Sequence, residues 1–520
     1  MKRMNIKTVY LFIISICAVW VSSSCTDDYA EINTDKNSIS TVGSAEIPFL
    51  FAKAITSVPW NGQVEQNLYA DQYAQYFANN TTYFPTDRLV IDHSWAQAPW
   101  NEQYTQVVPQ LQTIFENSDI SSAEYALANI WWVYSFNRIT DYWGPIPYLQ
   151  AGVPGKSVPY DSQDVIYDDF FNRLDDAVNV LNDKTDELPF GSFDIVYGGN
   201  VTKWIKFANT LRLRLALRIS NVNPDKAKIE AELAYSGGVM LSSPEDDALA
   251  PKNNLDVNNI SRMSEWNEFR MTAAMESALS GYEDPRISEY FIPAVETGTY
   301  EGLRNGLSTS QLSNPMNTAT ANSHVGPRWS SPNSGGIPDY LSTPATIIST
   351  AEAYFLRAEG SLLGWNMGAT TKELYEEGII NSMKQWGITD ETIIQDYLIS
   401  TAAPITPNDF LDSPAISDVS VMFDPVDTSV QLEQIAIQKW LALFPDGVEA
   451  WADFRRRHVL GLYSVANSDN PDIPDPTSNW IRRLPFLISE YQTNGAEVEK
   501  AVELLGGPDK ISTPLWWDEN

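Results

Sequence analysis

Ser349-Thr350-Ala351-Glu352-Ala353-Tyr354-Phe355-Leu356-Arg357-Ala358-Glu359 opens the stretch that decides the fold. Ser349 with Glu352, and Thr370 with Glu373, have the spacing of capping boxes, in which a hydroxyl and a carboxylate satisfy the free N–H groups at a helix start. The two helices are separated by Gly364 to Gly368. Small residues at Ala351 and Ala358, seven apart, let a neighbouring helix approach closely. This is the layout of a tetratricopeptide-like helix–turn–helix, although spacing and signature fit that repeat only loosely.

Similar patterns lie on either side. Residues 122–139 are apolar all round, through Ala128, Ile130, Trp131, Val133, Tyr134 and Phe136, which predicts a central helix started by a Ser121–Glu124 box and stopped by Gly144 and Pro145. Residues 163–182 and 201–220 form further helices, the second carrying Arg212, Arg214 and Arg218 among leucines. Thr428 with Gln431 starts a helix that reaches Phe444 and ends at Pro445 and Gly447. Residues 241–345 differ. They are dense in Pro, Ser, Asn and Gly, and helical periodicity is confined to about 266–280. Long irregular segments inside a folded chain are usually functional. The expected fold is mostly α: tetratricopeptide-like helix pairs forming a superhelical scaffold with long irregular loop insertions.

The N-terminus reads as an export signal. Lys2, Arg3 and Lys7 precede an apolar run, Val9 to Val21, that is shorter than the ~20 residues a membrane span needs. Two cleavage readings follow. A lipoprotein peptidase would cut before Cys25, leaving its thiol acylated; an ordinary signal peptidase would use Ser22 and Ser24. Of the two cysteines, Cys17 lies inside the leader. A mature exported chain with one thiol has no internal disulfide to make, which favours lipidation of Cys25. More than one acyl chain makes a durable anchor. The organisation is then 1–24 signal peptide, 25–45 tether and docking segment, and 46–520 a single helical domain whose loop-rich ligand region is 241–345.

The net charge of −33 disfavours nucleic acid and anionic lipid as partners. Three histidines, His93, His324 and His458, lie far apart, and no nucleophile elbow, zinc-helix motif or phosphate loop is present. Asp469, Asp472 and Asp475 lack calcium-loop spacing. No catalytic residue, metal or cofactor is therefore assigned. A lipid-anchored glycosidase using paired carboxylates remains an alternative. The 17 Trp, most of them core, leave some aromatic faces for stacking on sugar rings. The candidate ligand residues are Tyr83, Arg88, Trp95 and Trp100 in one segment, and Trp266, Tyr282 and Trp329 in the irregular region.

The C-terminal third carries a resemblance. Leu432 to Pro445 (LEQIAIQKWLALFP) followed by Glu449 to Arg456 (EAWADFRR) resembles the hallmark of SusD/RagB-like nutrient-binding outer-membrane lipoproteins, in particular the SusD-like 2 branch. Asn33-Thr34-Asp35, Asp141 to Tyr148 (DYWGPIPY), Asp284-Pro285-Arg286, Ala353 to Glu359, Arg482-Arg483-Leu484-Pro485 and Thr513 to Asp518 agree in order, with Phe486 where relatives commonly have Tyr. The resemblance implies a mostly α, tetratricopeptide-like fold. It implies a cell-surface lipoprotein that caps a SusC-like TonB-dependent barrel, and binding of oligosaccharides, or in some relatives peptides, without chemistry. The run Thr26-Asp27-Asp28 is similar to surface-export signals of such lipoproteins. Glu449, Asp453, Arg455, Arg456 and Arg457 read as a buried charge network, with Asp453 and Arg457 spaced to pair at i,i+4.

Overall fold

Four helix pairs carry the scaffold of the computed structural model, which describes residues 43, 45–58, 62–153, 155 and 157–519. Residues 1–24, Cys25 and the tether to residue 42 lie outside the described residues. From Pro48 onward the chain forms one contact unit. The pairs are α1 (Ala123–Trp143) with α2 (Gln163–Asn182), α3 (Val201–Arg218) with α4 (Pro224–Ser236), α5 (Thr350–Leu362) with α6 (Thr371–Gln385), and α7 (Thr428–Leu443) with α8 (Gly447–Arg457). Successive pairs stack, α2 and α5 both packing on α3, and α7 on α5. The expected mostly α fold of tetratricopeptide-like pairs is what the chain adopts.

Each pair is fixed by local chemistry. Every residue of α1 except Glu124 and Tyr125 is buried, as an all-round apolar helix requires. It ends where Gly144 turns to φ 88°. Its cap is Ser122, which accepts from the Tyr125 amide, one residue beyond the expected Ser121; Ser121 instead bonds Asp119. Likewise α7 is capped by Asp427 rather than Thr428, because a carboxylate reaches two free amides, those of Ser429 and Val430. The Thr370–Glu373 box is complete, with bonds in both directions. Ser349 caps α5, but Glu352 turns inward to an arginine instead of closing the box. Close approach of α5 and α6 depends on Gly378: a Cβ there would lie 2.8 Å from the Phe355 ring.

Buried ion pairs cross between helix pairs. Arg214 of α3 grips Glu352 of α5 through two 2.6 Å bonds. Arg218 of α3 reaches Glu449 of α8 at 2.6 Å and Asp141 of α1 at 3.3 Å. Arg456 of α8 holds Glu359 of α5, again twice at 2.6 Å. The expected charge network therefore exists among Glu449, Asp453, Arg456 and Arg457, but Arg455 instead donates to the backbone carbonyls of Trp451, Arg482 and Asp141, and one pairing differs. Asp453 bonds Arg456 and Lys439, both at 2.8 Å, while Arg457 turns to Glu359 at 2.9 Å. Arg457 is the most exposed of α8's last arginines, so it lies along the rim of the network rather than beneath it.

The insertion between α4 and α5 is more structured than its composition suggests. Helices span Asn259–Trp266 and Ala273–Gly281, and three short antiparallel ladders anchor it. The strands are β1 (Phe77–Asn79), β2 (Ala248–Ala250), β3 (Phe269–Met271), β4 (Phe291–Ile292), β5 (His324–Val325) and β6 (Ala345–Ile348), paired β1–β3, β2–β6 and β4–β5. The β1–β3 ladder joins the two segments that carry the candidate ligand residues.

Candidate functional site

Pairing of Asn79 with Phe269 puts the loop after β1 against the residues before β3. Asn79 shapes that loop: its Oδ1 accepts from the Thr81 amide and hydroxyl, both at 2.8 Å, a side-chain turn that asparagine favours. The Asn80 amide donates to the Glu268 carbonyl at 3.2 Å, and its side-chain amide to the Asn267 carbonyl at 3.2 Å. Asn267 itself ends the preceding helix in the left-handed region, φ 62°, which asparagine tolerates better than most residues.

Glu268 is the hinge of this surface. Its carboxylate accepts from the Tyr83 hydroxyl and, at 2.6 Å, from the Gln63 amide. The bond to Glu268 holds the Tyr83 phenol above its ordinary pKa. Tyr83 remains 61% exposed, with its ring centroid 4.5 Å from Phe84. Phe84 meets Trp95 edge to face at 5.7 Å. Trp95 is held by the start of its helix, His93–Asn101, where Asp92 accepts from the Ser94 and Trp95 amides. Trp266, at the end of its own helix, is 49% exposed. Below the loop, buried Asp87 accepts from the Gly306 amide at 2.8 Å and the Asn305 side chain at 3.1 Å, and burial raises its pKa to about 6.

Four of the seven candidates thus belong to one neighbourhood, though in different states. Tyr83 and Trp95 are linked through Phe84, and Trp266 lies two residues from Glu268 on the adjoining strand lead-in. Arg88 is committed to Asp469 at 2.6 Å, so it fastens the loop rather than reaching outward. The other three lie elsewhere. Tyr282 is 2% exposed and donates to the Val419 carbonyl at 3.1 Å. Trp329, also 2% exposed, packs against Trp386 and Phe444. Trp100 is buried against Trp143 and Tyr104 and walls a separate groove of about 300 Å³ with Glu490 and Asn494. Tyr282 and Trp329 are core aromatics, and their apolar area explains their placement. Sequence reasoning missed Gln63 and Glu268. Asn267 next to Trp266 was the available signal, since Asn is a helix-stopping residue that ends Trp266's helix where the ring stays exposed.

The arrangement offers flat aromatic faces beside amide and carboxylate acceptors and donors. That combination suits a neutral, hydroxyl-rich ligand, because rings bury C–H surface while polar groups bond hydroxyls. It contains no nucleophile–base pair. His324, bonded to the Ser264 carbonyl and Ser330 hydroxyl, has its pKa pushed down to about 4 by burial. Among the described residues no cluster of three or more His, Cys, Asp or Glu side chains could hold a metal ion. The three aspartates of the calcium question are engaged separately: Asp469 with Arg88, Asp472 with Lys510, and Asp475 with Thr477. Among the same residues, no helix is long and apolar enough to cross a membrane.

Residues 27–518 match the family described as "SusD-like: Susd and RagB outer membrane lipoprotein". A chitin-binding SusD homolog from Flavobacterium johnsoniae is 35% identical, with a TM-score of 0.81, covering 91% of this chain and 98% of its own. A SusD homolog from Bacteroides vulgatus is 31% identical, with a TM-score of 0.80, over 91% of this chain and 97% of its own. A SusD-like protein from Bacteroides thetaiotaomicron is 30% identical, with a TM-score of 0.80, over 91% and 99%. No curated protein sequence matches the chain. The chain belongs to the SusD/RagB family of outer-membrane lipoproteins. Its role is nutrient binding at the outer membrane.

Proposed function

We propose that this protein captures an oligosaccharide at the cell surface and delivers it, as a lid, to a SusC-like TonB-dependent barrel, without chemistry of its own. The observation that carries the reading is the pair of exposed rings Tyr83 and Trp266, with half-buried Trp95 beside them, around the Glu268–Gln63–Tyr83 hydrogen bonds. An acidic chain with uncharged stacking faces fits a neutral glycan. The chitin-binding description of the 35% identical relative makes β-linked N-acetylglucosamine oligomers the first ligands to test. Trp266→Ala should weaken binding of the best oligomer about tenfold, read by titration calorimetry, which corresponds to ~1.4 kcal/mol of lost stacking. An extended peptide is the competing ligand; it would depend on backbone hydrogen bonds and be indifferent to the ring at 266.

Attachment follows from Cys25, whose thiol would carry the acyl chains that keep a moving lid beside its barrel. Intact-mass analysis of the membrane-extracted protein should show a chain beginning at Cys25 with diacylglycerol and a further acyl group. An unmodified N-terminal cysteine, or cleavage elsewhere, removes the anchor from the account. Co-purification of a large β-barrel with the tagged protein, from membranes of cells grown on the ligand, tests the partnership. Catalysis is tested by the same oligomers: release of shorter products would replace the binding reading with the glycosidase one.

A further inference from the structure

A cavity of about 110 Å³ lies where the loop-rich insertion meets the scaffold, walled by Leu249 of β2, Thr346 of β6, Trp329, Arg328, and Gln385 and Trp386 at the end of α6. Three of the residues that line it each carry a buried side-chain polar atom with no protein partner: Trp329 Nε1, Trp386 Nε1 and Gln385 Oε1. Trp329 is 2% exposed and Trp386 5%. Buried donors and acceptors are nearly always satisfied, so three orphans around one cavity call for an occupant. The orphans are two N–H donors and one amide oxygen, which demands a molecule that both accepts and donates.

The remaining walls exclude the other classes. A cation would meet two indole donors and only one carboxylate, Asp247, which already accepts from the Ser243 hydroxyl at 2.6 Å and the Thr350 amide at 2.7 Å. An anion would face that same carboxylate, and the one positive group, Arg328, is neutralised by Glu289 at 2.8 Å and donates to the Trp386 carbonyl at 2.6 Å. The volume holds three or four waters at ~30 Å³ each, or one small polyol, and is too small for a whole sugar ring.

We infer that this cavity is a built site for hydroxyl oxygen, occupied by an ordered water cluster or a glycerol-sized polyol, that bridges the insertion to the end of α6 through Trp329, Trp386 and Gln385. The site is separate from the exposed aromatic surface and does not depend on what that surface binds.

The test is indole N–H spectroscopy of the full chain labelled with ¹⁵N-tryptophan, with Trp329→Phe and Trp386→Phe assigning the two resonances. The site predicts that both indoles show cross-relaxation with long-lived water, or shift saturably on adding glycerol, while Trp95 and Trp266 do not. Water contact without a glycerol response makes solvent the occupant; a glycerol response makes it a polyol site. Gln385→Leu, at a half-buried helix end and checked for folding by its melting curve, should shorten the water's residence or weaken the glycerol response at least threefold. Two indoles without water contact and without glycerol response show a dry cavity and overturn the inference. A response to chloride or acetate in place of glycerol overturns it equally. If a phenylalanine variant fails to fold, the Gln385→Leu comparison on wild-type resonances decides.

Discussion

Arg214→Met should destabilise the protein by about 3–5 kcal/mol, seen as a lowered urea midpoint with an unchanged slope. Arg214 and Glu352 are each 1% exposed at the side chain and share two 2.6 Å bonds. Removing the guanidinium leaves Glu352 as an uncompensated buried carboxylate, and the second acid near Arg214, Glu449 at 3.6 Å, keeps only Arg218. The double replacement Arg214→Met with Glu352→Leu should recover most of the loss, because it removes both desolvated charges while keeping volume. A single variant within ~1 kcal/mol of wild type would mean that the network does not hold α3 to α5.

Asp71→Asn should act in the opposite direction, and only above acid pH. Asp71 is 1% exposed; one oxygen accepts from Gln66 at 2.7 Å and the other has no partner. Burial, aided by the nearby Asp446 charge, raises its pKa to about 7. A carboxyl kept protonated by the fold contributes stability that is fully present below its unfolded value of 3.8, and that contribution is lost as pH rises through about 7. The asparagine has the same shape and never ionises. Wild type and variant should therefore match near pH 4, and the variant should gain steadily to pH 7 and level off beyond it. The gain at pH 8 should be on the order of 2–4 kcal/mol. A constant offset across this range would show that Asp71 is ionised in the fold throughout. The site also explains Gly447 at the start of α8, where a Cβ would lie 2.7 Å from the Asp71 Cα.

The helix pairs were legible because their signals are local. Capping residues, an all-round apolar α1 and the glycines after α5 each act within a few residues of themselves. The cap errors at Ser121 and Thr428 have the same origin, since a neighbouring Ser122 or Asp427 competes for the same amides. What escaped is long-range. Arg214 and Glu352 lie 138 residues apart, and nothing in either stretch names the other. The three ladders consist of two to four residues each, too short for an alternating pattern to register. Within the candidate site, composition singled out aromatics but not their exposure. Tyr83 and Tyr282 read alike in sequence, yet one is 61% and the other 2% exposed. Glu268 was one of 67 acids until β1–β3 pairing put it under Tyr83.

One paired titration decides whether the Tyr83–Trp95–Trp266 surface binds glycan. Wild type and the double variant Tyr83→Ala/Trp266→Ala are titrated with N-acetylglucosamine oligomers, other neutral oligosaccharides and a peptide mixture, with matched melting curves showing that both are folded. Wild type should bind at least one oligosaccharide saturably, the variant at least 30-fold more weakly, and neither should bind peptides comparably. Equal glycan affinity in the two proteins, or binding of peptides alone, would rule out this surface as a glycan site.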